Sequence, residues 1–190
     1  MPFANHNCRA APGGSPRYEW IGGALRKEPP PTSFHQDIAC DLLAMLRTWA
    51  RGAGAGKVFA APLDVHLSRH DVVQPDILYI TRARLPIIRE DGIHGVPDLV
   101  VEIFSPLTTR FNPAKRIALY RQAGAKEAWL LEILSRHLVI YDFSAGAAHP
   151  VRVLSGSQRI VSAVLPGFDA KVAAIFSCGL VCARGEQPAG

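Results

Sequence analysis

One apolar run, Leu99-Val100-Val101-Glu102-Ile103-Phe104, carries a carboxylate where a central strand would hold another aliphatic side chain. An acid inside such a strand is costly unless it is paired or binds a cation. A second acid, Asp76, sits in another apolar run, Val73-Gln74-Pro75-Asp76-Ile77-Leu78. A Lys115-Arg116 pair then opens an amphipathic helical pattern. Any fold for this chain has to place two strand acids and a nearby cation without leaving a bare buried charge.

The 190 residues suffice for one well-filled domain but not comfortably for two. Hydrophobic content of 48% with 19% charged residues fits a packed core and excludes a disordered chain. No apolar run approaches the ~20 residues that span a bilayer, and the first 16 residues lack the apolar centre of a secretory signal. The expectation is a cytoplasmic protein with no membrane partner. With 21 basic and 16 acidic residues the net charge is +5. That favours polyanions modestly, although the arginines are scattered and no polybasic run marks a binding stripe. Of the four cysteines, only Cys178 and Cys182 are closely spaced, and no second pair exists to complete a zinc site.

Along the chain, residues 1–16 are rich in Pro, Gly, Ala and Asn and read as a flexible arm. Arg17 to Lys27 reads as a hairpin turning at Gly22-Gly23, closed off by Pro29-Pro30-Pro31. Thr32 or Ser33 caps a helix whose apolar face is Phe34, Ile38, Leu42, Met45, Leu46 and Trp49. Lys57–Leu67 and Val72–Ile80 are predicted strands, followed by a turn-rich connection to Gly95. Val96–Phe104 is a third strand. Asn112-Pro113 starts a second helix that runs to Gly124. Strands are expected at Ala128–Ile133 and Leu138–Phe143, a strand pair near Val151–Leu154 and Arg159–Val164, and a short helix around Lys171–Phe176. This order predicts a mixed α/β sheet with helices packed on it. No Gly-x-Gly-x-x-Gly or phosphate-loop pattern occurs, which argues against nucleotide cofactors.

Asp76 and Glu102 are suited to a hard cation, because Mg²⁺ prefers one or two carboxylates completed by water and phosphate. Lys115 or Arg116 could then stabilise charge on a phosphate or position a water. An ion pair from Glu102 to Arg116 or Lys115 would satisfy the same carboxylate without any metal, so both readings stand at this point. His66 and His70 are four apart, a spacing that suits a helix face and not a strand, so they make a poor zinc pair.

Several segments in order carry a family resemblance. They include Tyr18-Glu19-Trp20-Ile21-Gly22-Gly23-Ala24-Leu25, His35-Gln36, Ala61-Pro62-Leu63-Asp64-Val65 and Val73-Gln74-Pro75-Asp76-Ile77. Pro97 to Ile103, Ser105-Pro106, Tyr120 with Ala123-Gly124, Trp129-Leu130 and Leu165-Pro166-Gly167-Phe168 follow. From about Arg17 to Phe176 the chain resembles the Uma-two family of restriction-endonuclease-like proteins, within the PD-(D/E)XK nuclease superfamily. The resemblance implies a restriction-endonuclease-like core over residues 17–178, flanked by helices and the N-terminal β-hairpin, with 179–190 as a tail. It implies Asp76 and Glu102 as metal ligands for Mg²⁺, with Mn²⁺ as the substitute, and Glu19 as a further acid. The superfamily lysine, usually two residues after the second acid, meets Phe104 here. In this family it comes from the next helix, at Arg116 preceded by Lys115, and the family's Asp one turn earlier falls on Asn112.

The expected function is therefore Mg²⁺-dependent endonucleolytic hydrolysis of phosphodiester bonds in DNA, by a homodimer that addresses both strands. The alternative is a catalytically degenerate nuclease-like fold that binds nucleic acid or protein. Its motives are Asn112, where the family has Asp, and Arg116, which keeps a charge but cannot shed a proton as lysine can.

Overall fold

The computed structural model describes residues 17–104, 112–144 and 152–177. The expected arm and tail, Ser105-Pro106 and three of the four cysteines lie outside them; Cys40 is exposed. The hairpin forms as the sequence predicts. β1 (Arg17–Ile21) pairs antiparallel with β2 (Ala24–Glu28). Gly22 and Gly23 turn it with φ of +59° and +76°, the two positive values that a two-residue hairpin loop demands. The Thr32 hydroxyl accepts from the His35 N–H at 3.2 Å and starts α1 (Ser33–Gly52). Ile38, Leu42 and Leu46 are buried along it, while Phe34, in the first turn, is exposed.

Two six-stranded sheets follow. β3 (Gly56–Ala60) and β6 (Ile77–Thr81) belong to the second sheet, whereas β4 (Val65–His66) and β5 (Val72–Val73) belong to the first. Each of the long strands predicted at Lys57–Leu67 and Val72–Ile80 is thus two short ones in different sheets. Pro62 and Pro75 sit at the breaks, where a residue without an N–H cannot continue a ladder. The connection to Gly95 contains a 3-10 turn (Arg82–Ile87) and a small hairpin, β7 (Ile88–Arg89) and β8 (Gly92–His94). β9 (Leu99–Phe104), α2 (Pro113–Ala123), β10 (Glu127–Glu132), β11 (His137–Asp142), β12 (Arg152–Ser155) and α3 (Val172–Ile175) complete the order. The segment predicted as a strand at Arg159–Val164 makes only one bridge, Arg159 to Lys171. Its Ile160 N–H is taken by Ala170 O, so the chain folds back on its own continuation instead of pairing with β12.

The first sheet runs β2-β1-β5-β4-β8-β7 and the second β12-β11-β10-β9-β6-β3. β9 and β10 are parallel neighbours joined through α2, the crossover that parallel strands require. Alternation along β9 sorts its side chains. Leu99, Val101 and Ile103 enter a core shared with α1, α3, Tyr79 and Trp129. Val100 enters a second core with Leu78, Ile80, the first-sheet residues Val65 and Val73, and Ile117 and Tyr120 of α2. Glu102 shares the face of Val100 by the period of two. The mixed α/β architecture with helices on the sheet is as the sequence predicts. Among the described residues, no helix is long and apolar enough to cross a membrane.

Leu42 is fully buried where α1 meets the second sheet. Leu42→Ala should lower unfolding free energy by about 2–5 kcal/mol, read from urea denaturation. A change below about 0.5 kcal/mol, the size of an ordinary surface substitution, would contradict this packing.

Candidate active site

Ile77 pairs with Val101 across β6 and β9, so the next step of the same register sets Asp76 opposite Glu102. Both acids are buried, at 5% and 4% exposure, and both line one cavity of about 30 Å³. That volume is enough for a water-sized occupant. The Ile103 N–H donates to Asp76 Oδ2 at 2.8 Å, which fixes the carboxyl against the strand carrying Glu102.

The phase of α2 decides which cation reaches them. Asn112 Oδ1 accepts from the Ala114 and Lys115 N–H groups and starts the helix, with Pro113 in its first turn. With that start, Arg116 is buried and Lys115 exposed. Arg116 Nε donates to Glu102 Oε1 at 2.8 Å, and its two terminal nitrogens donate to the Glu19 oxygens at 2.6 Å each. Tyr120, one turn further along, donates its hydroxyl to Glu102 Oε1. Glu19 Oε1 also accepts from the Gln74 N–H at 2.6 Å. The structure therefore brings Asp76, Glu102, Glu19 and Arg116 together and leaves Lys115 exposed, outside the lining of that cavity.

Asp76 has two partners that sequence reasoning did not assign to it. Arg17 donates to Oδ1 through both terminal nitrogens at 3.1 and 3.2 Å, and His35 Nε2 lies 3.1 Å from Oδ2. The signal for Arg17 was present in the hairpin, two residues before Glu19 and hence on its face. Tyr120 was likewise legible at i+4 from Arg116. His35 belongs to the His35-Gln36 segment of the family resemblance, and the structure sets it in the cavity lining beside Asp76.

These contacts set the charges. Burial pushes the Asp76 carboxyl up, but the hydrogen bond and charge of His35, then Arg17 and the Ile103 N–H, outweigh it and hold the group below its ordinary value. Burial pushes Glu102 up to about 7; Arg116 opposes this, while Asp76 and Glu19 add to it. Burial alone would lower Arg116, yet Glu102, Tyr120 and Glu19 raise it well above its usual value, so it stays a cation. Tyr120 is raised by burial and by the neighbouring acids, so its phenol keeps the proton it donates. Three carboxylates share two guanidiniums, and Glu102 is the one that relieves the excess by holding a proton up to about 7.

The donor set is oxygen-rich, as a hard cation prefers. The Gln74 side-chain oxygen, on the same cavity, is buried and accepts no hydrogen bond among the described residues. Among those residues no three His, Cys, Asp or Glu side chains form a group that holds an ion unaided. Two carboxylates completed by water and phosphate suffice for Mg²⁺, so Asp76 and Glu102 fit it. Other candidates serve structure. Asp98 accepts from the Thr81 N–H at 2.9 Å and pairs with Lys126 and Arg84. His66 stacks face to face on His94 at 4.5 Å, which keeps their in-plane lone pairs from converging on one ion.

Paired acids at the meeting of two antiparallel strands, on a mixed sheet with a helical crossover behind them, define a restriction-endonuclease-like nuclease fold. The chain belongs to the Uma2 family, described as "putative restriction endonuclease", which matches residues 8–173. It is similar in structure to a protein from Anabaena variabilis ATCC 29413, described as a "putative nuclease belonging to DUF820". The TM-score is 0.72 at 19% identity, over 85% of this chain and 90% of that one, which is a likeness of fold. No curated protein matches the chain.

Glu102 gives stability a definite pH dependence. Between its ordinary 4.5 and about 7, the folded protein keeps a proton that the unfolded chain has released. Stability should therefore fall as pH rises through that window and level off above it, by roughly 2–4 kcal/mol from this group. Asp76 acts oppositely and lower down, its contribution being present above 3.8 and lost as pH falls below it. Urea denaturation from pH 5 to 8 should show this decline in the wild type and its loss in Glu102→Gln. Equal slopes in the two proteins would refute it.

Proposed function

We propose that the protein is a Mg²⁺-dependent endonuclease that hydrolyses phosphodiester bonds in DNA, and that it acts as a homodimer. The observation that carries this reading is the register of β6 and β9, which sets Asp76 opposite Glu102 on one cavity with a permanent cation beside them. Asp76 and Glu102 would hold the metal. Bound Mg²⁺, or Mn²⁺ in its place, supplies Lewis-acid stabilisation of phosphate charge and a water of lowered pKa.

The chain's own groups supply the rest. Arg116 offers a fixed positive charge to the phosphate, and Glu19 holds its guanidinium in place from the hairpin. Arg17 and His35 orient the Asp76 carboxyl, and Tyr120 orients that of Glu102. Lys115, exposed in the first turn of α2, would meet phosphate from the solvent side. Family membership and the oxygen-rich donor set support the same reading.

A second reading, a nuclease-like fold that binds without cutting, is favoured by one observation. Arg116 stands at the position of the family's lysine and is locked between two acids, and it cannot relay a proton.

Plasmid cleavage with Mg²⁺ or Mn²⁺ separates the two. The nuclease reading expects metal-dependent nicking that drops about 100-fold or more in Asp76→Ala and in Glu102→Ala. Cleavage that survives both substitutions would remove the site, and DNA binding without cleavage under either metal would select the second reading.

A further inference from the structure

A second cavity, about 540 Å³, lies between β2 and the first turns of α2. Its apolar lining is Ile21, Leu25 and Leu119, and its cationic lining is Arg26, Lys27 and Lys115. All three cations are exposed, and none makes an ion pair among the described residues. Glu28 is the acid on this wall, and Arg116 is already matched by Glu19 and Glu102. Glu28 and Arg116 line the carboxylate cavity as well, so the two spaces share a wall.

Cations on an edge strand have a familiar purpose, since lysine and arginine there discourage pairing with another chain. That accounts for Arg26 and Lys27 on β2, the outer strand of the first sheet. It does not account for Lys115, which arrives from a helix almost ninety positions later and converges on the same space. Cations from two elements that make no ion pair among the described residues, set around an apolar floor, match a strand of nucleic acid, whose phosphates need charge and whose bases and sugars offer apolar faces. A space of this order encloses a nucleotide-sized ligand.

We propose that this groove is the strand-binding subsite of the site: it holds one DNA strand by its phosphates, on Arg26, Lys27 and Lys115, and leads it to the Asp76–Glu102 cavity. The proposal rests on the nuclease reading and deepens it by naming the surface that binds substrate.

The test is fluorescence anisotropy of the full chain with a labelled single-stranded DNA oligonucleotide, in EDTA so that binding is read without cleavage, over a salt series. The triple variant Arg26→Ala/Lys27→Ala/Lys115→Ala should weaken binding at least 10-fold and reduce the slope of log K against log salt by about 2–3. Arg47→Ala/Arg51→Ala should leave both unchanged, because those arginines line a separate hollow beside β3. Lys115→Arg should bind as the wild type does. An unaltered slope in the triple variant, an equal loss in the Arg47/Arg51 variant, or no binding by the wild type would each overturn the groove. Plasmid nicking by the wild type separates the two claims. Nicking with an intact slope in the triple variant sinks only the groove, whereas a lost slope in a protein that never nicks sinks only the nuclease reading.

Discussion

The buried guanidinium of Arg116 is the joint on which the site depends. It reaches from α2 to Glu19 on the hairpin and to Glu102 on the central strand, so three elements distant in sequence meet on one side chain. Arginine suits this task because its planar fork donates to two carboxylates at once and stays charged throughout. Remove it, and two buried acids face each other with Asp76 beside them. An ion pair of this kind is strongly destabilising to break even where it adds little over a well-packed apolar core. Stability alone therefore accounts poorly for this buried pair.

The same logic runs outward. Asp76 is held by Arg17, His35 and the Ile103 N–H, so each acid of the pair has its own guanidinium, one from β1 and one from α2. The hairpin carries both Arg17 and Glu19 on one face of β1, which makes it a part of the site and not an appendage. Gln74, two residues before Asp76, gives its N–H to Glu19 and its side-chain amide to Asp64 at 2.7 Å. The break of the predicted strand at Gln74-Pro75-Asp76 is thus where the chain leaves one sheet for the other and where the acid is presented.

Much of this was legible in the sequence because charge in an apolar run is conspicuous. Glu102 declared itself by its neighbours, α2 by Asn112-Pro113, and the hairpin by Gly22-Gly23. What was not legible depended on tertiary pairing. Two apolar runs interrupted by Pro62 and Pro75 look like two bent strands locally, and only the cross-strand partners reveal four strands in two sheets. Ile160 and Leu165 carry a strand-like apolar content, yet they are buried as an irregular segment folded onto its own continuation. The helix phase that turns Arg116 inward and Lys115 outward followed from the cap at Asn112, a feature present in the sequence but decisive only once the sheet fixed the inward side.

The edge strand β2 joins these arguments. It exposes Leu25 at 52% beside backbone groups that a neighbouring strand could pair with. Arg26 and Lys27 make such pairing unfavourable, and the same two charges, with Lys115 across the groove, form a surface that attracts phosphate. Protection of the edge and attraction of a polyanion thus draw on one set of side chains. The modest net charge of +5, spread thinly along the sequence, becomes local where β2 and α2 approach, and the folded arrangement produces a cationic surface that no stretch of sequence contains.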